Sequence, residues 1–244
     1  MVRRLPLALC ACCLFLFAAA CGGGDDGSSA PIPGSDATPT TYANNASAAP
    51  QIGMPSSRYS VLQSDLDPGY LTDVPGTFVL TAENYSPTAT FPSPEEGLQK
   101  LAEWGYLGGY ETGYTPEGRD SAVLNGSYYI FVETHLFETP EGTAAAFDYF
   151  NDRLTNSVSE QVTAPSVGNE SAAWRLVYDT IGNSSVESVF HRVIFRRGNM
   201  LVVVATLGAE PLMKVDDAYS LAVIVDEKAM GARQAPEPTP TGGG

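Results

Sequence analysis

Every cysteine in this 244-residue chain, Cys10, Cys12, Cys13 and Cys21, lies at or before position 21. Whatever folds beyond that point has no disulfide to hold it and must be stabilised by its own core. The same N-terminal stretch indicates where such a fold would reside. Arg3 and Arg4 precede a continuous apolar run from Leu5 to Phe17, followed by Ala18-Ala19-Ala20-Cys21 and an abruptly polar Gly-Gly-Gly-Asp-Asp. This is the layout of a secretory signal peptide over residues 1–20. Leu5 to Ala20 is shorter than the roughly 20 residues a membrane-spanning helix needs, so export is expected rather than a resident span.

The small residues before Cys21 resemble the lipobox of bacterial lipoproteins, with Ala18 where that family usually has Leu. The resemblance implies that the Cys21 thiol receives a diacylglycerol and that cleavage makes Cys21 the mature N-terminus. Cys10, Cys12 and Cys13 fit less well: Cys10 follows Leu9, Cys13 follows another cysteine, and either choice would leave Leu14 to Phe17 exposed. Ordinary cleavage near Ala20, leaving a free thiol, is the alternative. Losing residues 1–20 removes Arg3 and Arg4, leaving 11 basic against 28 acidic side chains, a formal −17. Such a body does not adhere to anionic lipid by charge, so the membrane is reached through the acyl chains. Nucleic acid is excluded as a partner on the same ground.

Residues 21–57 are Gly, Ser, Ala, Pro, Thr and Asn with few large apolar side chains, the composition of a flexible linker. Residues 233–244 read as a disordered tail. Between them, at 58–232, patterning is dense. Ser93-Pro94-Glu95-Glu96 opens a helix that carries Leu98, Leu101 and Ala102 until Gly105 stops it. Thr139-Pro140-Glu141 opens a second, with Ala144, Phe147, Phe150, Leu154 and Val158 as its buried stripe. A third runs from about Asp216 to Met230 on Ala218, Leu221, Ala222, Val225 and Ala229.

Aromatic and β-branched runs predict strands at 106–114, 128–137, 173–178, 186–197 and 200–207, and a weaker one at 77–82. Gly198-Asn199 is a two-residue hairpin loop, and Met200 to Leu207, apolar on both faces, is expected to be central. The order of elements indicates an α+β fold: an antiparallel sheet of about five to seven strands packed with three helices. Two strands followed by a helix recur once, a hint of internal duplication.

Nucleophile elbows, phosphate loops, zinc-protease histidine pairs and dinucleotide fingerprints are absent, and no cofactor is implied. Glu133 and His135 share a strand face, so a Glu/His/His metal site with His191 is conceivable, against two buried sheet histidines. A metal is not expected. Asp65-Leu66-Asp67-Pro68-Gly69 opens like a calcium loop, but its twelfth position is Gly76, so it reads as a turn. Tyr106, Tyr110 and Tyr114 fall at even spacing, hence on one face of one strand, with Tyr129 and Phe131 adjoining. Such a ladder stacks a glycan or holds an apolar small molecule, or else packs under a helix. Arg192 and Arg196 share a face of their strand and serve either a ligand or the body's own carboxylates.

Asp-Leu-Asp-Pro-Gly-Tyr at 65, Trp-Gly-Tyr-Leu-Gly-Gly-Tyr-Glu-Thr-Gly-Tyr at 104, Phe-Glu-Thr-Pro-Glu-Gly-Thr-Ala-Ala-Ala-Phe at 137, Gly-Asn-Glu-Ser-Ala-Ala-Trp at 168 and Phe-Arg-Arg-Gly-Asn at 195 carry a wider resemblance. They resemble poorly characterised bacterial cell-envelope lipoproteins and, more remotely, the sensor-like extracytoplasmic domains of receptor serine/threonine kinases. The resemblance implies an antiparallel sheet with packed helices and a lipid-anchored module that binds or senses a ligand without catalysis. An envelope scaffold binding protein partners and a hydrolase are the alternatives. A tyrosine-lined pocket favours the first, a flat apolar patch the second, and clustered carboxylates or histidine with shifted pKa values the third.

Overall fold

Val202, Val203 and Val204 in succession put apolar side chains on both faces of one strand, which is stable only where both faces are covered. The computed structural model, which describes residues 51–155 and 157–233, places that strand mid-sheet. Seven strands form one antiparallel sheet: β1 (Tyr70–Leu80), β2 (Tyr106–Pro116), β3 (Tyr129–Phe137), β4 (Glu160–Val162), β5 (Glu170–Thr180), β6 (Glu187–Arg197) and β7 (Met200–Gly208). Their spatial order is β1-β2-β3-β7-β6-β5-β4, and every residue of the central β7 is buried. The expected signal peptide, Cys21, most of the expected linker and the expected tail after Arg233 lie outside the described residues.

The α+β class and the antiparallel sheet are as the pattern predicts. Instead of three helices, however, the described residues hold five α-helices: α1 (Ala82–Tyr85), α2 (Pro94–Glu103), α3 (Asp120–Val123), α4 (Pro140–Thr155) and α5 (Val215–Ala229). The two unforeseen ones, α1 and α3, are single turns, too short to show a period of 3.6 residues.

Helices α4 and α5 cover opposite faces. Ala218, Leu221, Ala222 and Val225 of α5 pack with Val193, Phe195, Val202 and Val204. Ala146, Phe147, Phe150 and Leu154 of α4 pack with Ile194, Leu201 and Val203. This arrangement argues against the duplication. The two halves meet antiparallel at β3 and β7, and a two-fold rotation relating antiparallel neighbours would leave both helices on one face.

Several details of the helices differ from expectation. Ser93 caps α2 by accepting from Glu96 N–H, and Gly105 ends it at φ 68°, but Leu98 is 42% exposed and Ala102 also faces solvent. Gly97 and Leu101 are the buried positions, because a neighbouring loop comes so close that a Cβ at Gly97 would lie 2.7 Å from the Ser86 carbonyl oxygen. Val158 lies beyond the end of α4 and is exposed, and Thr143 and Ala146 are buried where Ala144 is only half-buried. In α5 the buried residue of the last turn is Lys228 rather than Ala229. Its ammonium donates to the Ser60 carbonyl at 2.8 Å and to Asp65.

The folded body also begins earlier than position 58. Ile52 and Val61 are core residues, and the segment from Ile52 to Leu66 covers the α5 face where α5 does not reach, against Tyr114, Ile130 and Val132. Asn199 secures it. From the β6–β7 hairpin its side chain accepts from Ile52 N–H at 2.6 Å and donates to the carbonyls of Ile52 (3.0 Å) and Phe137 (2.9 Å), all buried. The hairpin itself is the predicted two-residue loop, with Arg197 opposite Met200 and a positive φ at Gly198.

An unmade buried hydrogen bond costs roughly 1–3 kcal/mol. Asn199→Ala should therefore lower stability by about 2–5 kcal/mol in denaturant melts, and amide exchange should rise selectively over residues 52–61. A fall below 1 kcal/mol would mean that the apolar contacts of Ile52 and Val61 alone hold this segment.

Candidate functional site

Residues at even spacing share a strand face only while the ladder is regular. β2 is irregular at its start: Tyr106 pairs with Phe137 and Gly108 with Leu136, leaving Leu107 bulged and 46% exposed, while Gly108 adopts φ 135°. One extra residue inverts the alternation that follows. Tyr106 thus joins the α4-side core, whereas Tyr114, 4% exposed, lies in the α5-side core and donates to the Val61 carbonyl at 2.8 Å. Tyr110, half-buried, is on the face of Tyr114, and Tyr129 and Phe131 are on the other. The expected ladder does not exist as one surface.

Arg192 and Arg196 do share the α4 face. Arg196 is 2% exposed and donates to Glu170 at 2.8 Å, so it serves the body's own carboxylates. Arg192 is half-buried, and its charge bears on Glu133. The two histidines are not brought together, because β7 separates their strands and they point to opposite faces. His191 bonds Glu210 at 2.9 Å on the α5 side, and Glu210 is also gripped by Arg175. Asp65 forms ion pairs with Lys228 and Arg233, as part of a turn rather than a calcium loop.

A different constellation assembles on the α4 face. Glu111 of β2 lies directly opposite Glu133 of β3, with Phe78 of β1 opposite Glu111 on its other side. Glu133 Oε2 accepts from the Tyr85 hydroxyl at 3.2 Å and bonds His135 Nε2 at 3.1 Å, and His135 Nδ1 bonds the Tyr106 hydroxyl at 3.3 Å. Nε2–H of His135 donates to Glu133, and the Tyr106 hydroxyl at Nδ1 can either donate or accept. The Tyr85 ring covers His135 with centroids 4.7 Å apart, and Phe150 of α4 approaches it edge-on.

Two adjacent carboxyls in this setting cannot share one behaviour. Burial pushes the Glu111 carboxyl up to about 8, reinforced by the negative charges of Glu133 and Asp73. Burial also works to raise Glu133, but the His135 hydrogen bond and charge, the Arg192 charge and the Tyr85 hydroxyl together hold it below the usual carboxylate range. Burial, and then the charge of Glu133, drives the Tyr106 phenol well above its ordinary value. Glu111 is only 5% exposed, yet no hydrogen bond or ion pair to its carboxyl is found among the described residues. Sequence reasoning paired Glu133 with His135 correctly and missed Glu111. The signal was a lone charged residue inside the apolar stretch Gly-Tyr-Glu-Thr-Gly-Tyr, interpretable only once the β2–β3 register is known.

Beyond this cluster Val123 of α3 and Ile181 pack against Tyr129, whose hydroxyl donates to Asp120 at 2.9 Å. Phe190, Ala205 and Leu207, with Tyr129, Phe131 and Leu176 against them, form an apolar group supplied by strands alone. Tyr178, 42% exposed, stands edge-on to Phe190 with ring centroids 5.6 Å apart.

No family model matches the chain, and no curated protein matches it in sequence. Among solved structures it is similar to the extracellular domain of PknH from Mycobacterium tuberculosis, with 13% identity, coverage of 75% of this chain and 100% of that one, and a TM-score of 0.41. The likeness is weak, and no residue role is taken from it. Among the described residues no helix is long and apolar enough to cross a membrane.

Two measurements check these placements. Tyr114→Ala empties a core position and should cost about 3–5 kcal/mol, while Tyr110→Ala should cost clearly less; equal losses would mean that Tyr110 is core as well. For Glu111, the folded state retains a proton that the unfolded chain releases anywhere between the ordinary carboxylate range and about pH 8. Stability contributed by this group is therefore lost as pH rises through that window. Glu111→Gln should melt close to wild type at pH 5 and above it at pH 8.5. Parallel pH dependence of the two proteins would show that Glu111 ionises as freely folded as unfolded.

Proposed function

We propose that the chain is a lipid-anchored extracytoplasmic module that binds or senses a ligand and performs no catalysis. The reading is carried by one part of the α4 face, where an aromatic and aliphatic group from four strands, buried at its centre and partly open at Tyr129, Phe131 and Tyr178, adjoins a charged cluster that includes a carboxyl without a donor among the described residues. Surfaces of this kind hold small ligands by stacking and a few placed polar groups. A glycan or an apolar small molecule suits Tyr129, Phe131 and Tyr178. An envelope protein would meet the exposed Leu124, Tyr178 and Leu212 at the same end of the sheet.

The positions of the chain ends support an anchored arrangement. Ile52 is held at the β6–β7 hairpin, where Asp226 near the end of α5 also pairs with Arg197. Tyr129, Phe190 and Leu207 sit at the opposite end of their strands. The linker from Cys21 thus enters the body at the end of the sheet opposite Tyr129, Phe190 and Leu207.

A hydrolase is the second reading, favoured by the division of Glu111 and Glu133 into one protonated and one ionised carboxyl, the arrangement two-carboxylate catalysis uses. The hydrogen bonding of Glu133 weighs against it: Glu133 Oε2 is already engaged by Tyr85 and His135.

Cells fed labelled palmitate should incorporate label into the wild-type chain and none into Cys21→Ser, which should also leave the membrane fraction. Intact-mass spectrometry showing an unmodified Cys21 in the native mature protein would overturn the anchor. Turnover of chromogenic glycosides or esters by wild type, lost in Glu133→Gln, would replace the binding module with an enzyme.

A further inference from the structure

The α4 face carries more negative charge than the protein itself answers. Asp73 of β1, opposite Gly113, lies beside Glu111 and Glu133, so three carboxyl residues occupy three adjacent strands on one face. Five of the described cations are committed elsewhere. Arg175 is bound to Glu210, Arg196 to Glu170, Arg197 to Asp226, and Lys228 and Arg233 to Asp65. Arg192 of β6, the His135 ring and the Tyr85 hydroxyl bring cationic or proton-donating groups to Glu133, and none of them reaches Glu111.

Glu111 gives the second observation. Glu111 is 5% exposed as a residue and its carboxyl has no donor among the described residues, so its oxygens face the small opening beside Glu133. Glu133, whose side chain is 18% exposed, and the half-buried Phe131 open the cluster to solvent beside the strand-only aromatic group. No group of three or more metal-ligating side chains among the described residues is arranged to hold a metal ion. An aromatic face next to carboxylates selects a different cation, one with apolar substituents, since the ring quadrupole and the carboxylate charge act on it together.

We propose that Asp73, Glu111 and Glu133, with Phe131 as the aromatic wall, form a binding site for an organic cation, an alkylated ammonium group. This rests on the reading of the α4 face as a ligand surface and names the class of ligand. The cation sits over the open side of Glu133 and against Phe131. Glu111 lies beneath, within reach of its charge, and gives up its proton as the cation arrives. The charged groups that act on Glu111 are Asp73 from β1 and Glu133 from β3, while His135, Tyr85 of α1 and Arg192 of β6 act on Glu133. Because Glu111 holds its proton up to about pH 8, binding strengthens as pH rises.

The test uses the full chain in detergent, titrated calorimetrically with choline, with its uncharged isostere 3,3-dimethyl-1-butanol, and with calcium, at pH 6 and pH 9. Choline should bind saturably, about tenfold more tightly at pH 9 than at pH 6, and the isostere should not. Glu111→Gln should abolish the pH dependence, and Phe131→Ala should weaken binding at least fivefold at both pH values, with melts confirming that each variant is folded. If Phe131→Ala does not fold, Glu111→Gln decides alone. Absence of saturable choline binding, equal binding of the isostere, displacement of choline by calcium, or an unaltered pH dependence in Glu111→Gln would each overturn the site. Binding of the isostere without choline would remove the cation yet leave the ligand-binding reading standing.

Discussion

β7 has no face turned to water, and from that one condition most of the architecture follows. Its valines and leucines are worth roughly 1.5–3 kcal/mol each when buried, but only if something covers them on both sides. Alternation directs Leu201 and Val203 to one face and Val202 and Val204 to the other, so helices are needed on both. Helix α4 meets one requirement and α5 the other, and the segment from Ile52 to Leu66 completes the α5 side. No cysteine is present in the described residues, so these coverings are fixed by polar contacts instead. Asn199 fastens the N-terminal segment to the central hairpin, and the buried Lys228 ties α5 to the turn at Asp65.

Such polar contacts explain where periodicity was informative and where it failed. The central strand, its hairpin and the starts of α2 and α4 were legible because each is encoded by neighbouring residues. What lay beyond sequence was the identity of the covering partner. Leu98 follows the spacing of a buried position, but α2 docks through Gly97, the one site where a loop carbonyl can approach so closely. Val158 continues the α4 pattern past the point where the helix ends. Lys228 looked like a solvent residue because the groups that accept from it, Ser60 and Asp65, are more than 160 positions away.

The tyrosine series shows the same limit at single-residue scale. Even spacing is a reliable guide to a shared face until a bulge intervenes, and the bulge at Leu107 leaves no mark except a Gly108 whose conformation an L side chain rarely adopts. One skipped residue distributes Tyr106 and Tyr114 between two cores. It also aligns Tyr106 with His135, so the hydrogen-bonded series Tyr106–His135–Glu133 depends on that bulge. The irregularity that removed the expected site assembled the observed one.

The protonation of that site follows from differences in solvation between neighbours. Glu133 receives two donors and the nearby Arg192 charge, so its ionised form is stabilised despite burial. Glu111, one strand over, receives none and faces the negative charge of Glu133, so the neutral acid is its cheaper state near neutral pH. Supplying Glu111 with its own arginine would remove the asymmetry, but the described arginines on this face are drawn to Glu170 and to Glu133. Glu111 therefore keeps its proton to a higher pH than an ordinary carboxyl, and the neutral acid is the form that the folded domain favours near neutral pH. It lies beside the partly exposed Glu133, which is the side from which a bound group could reach it.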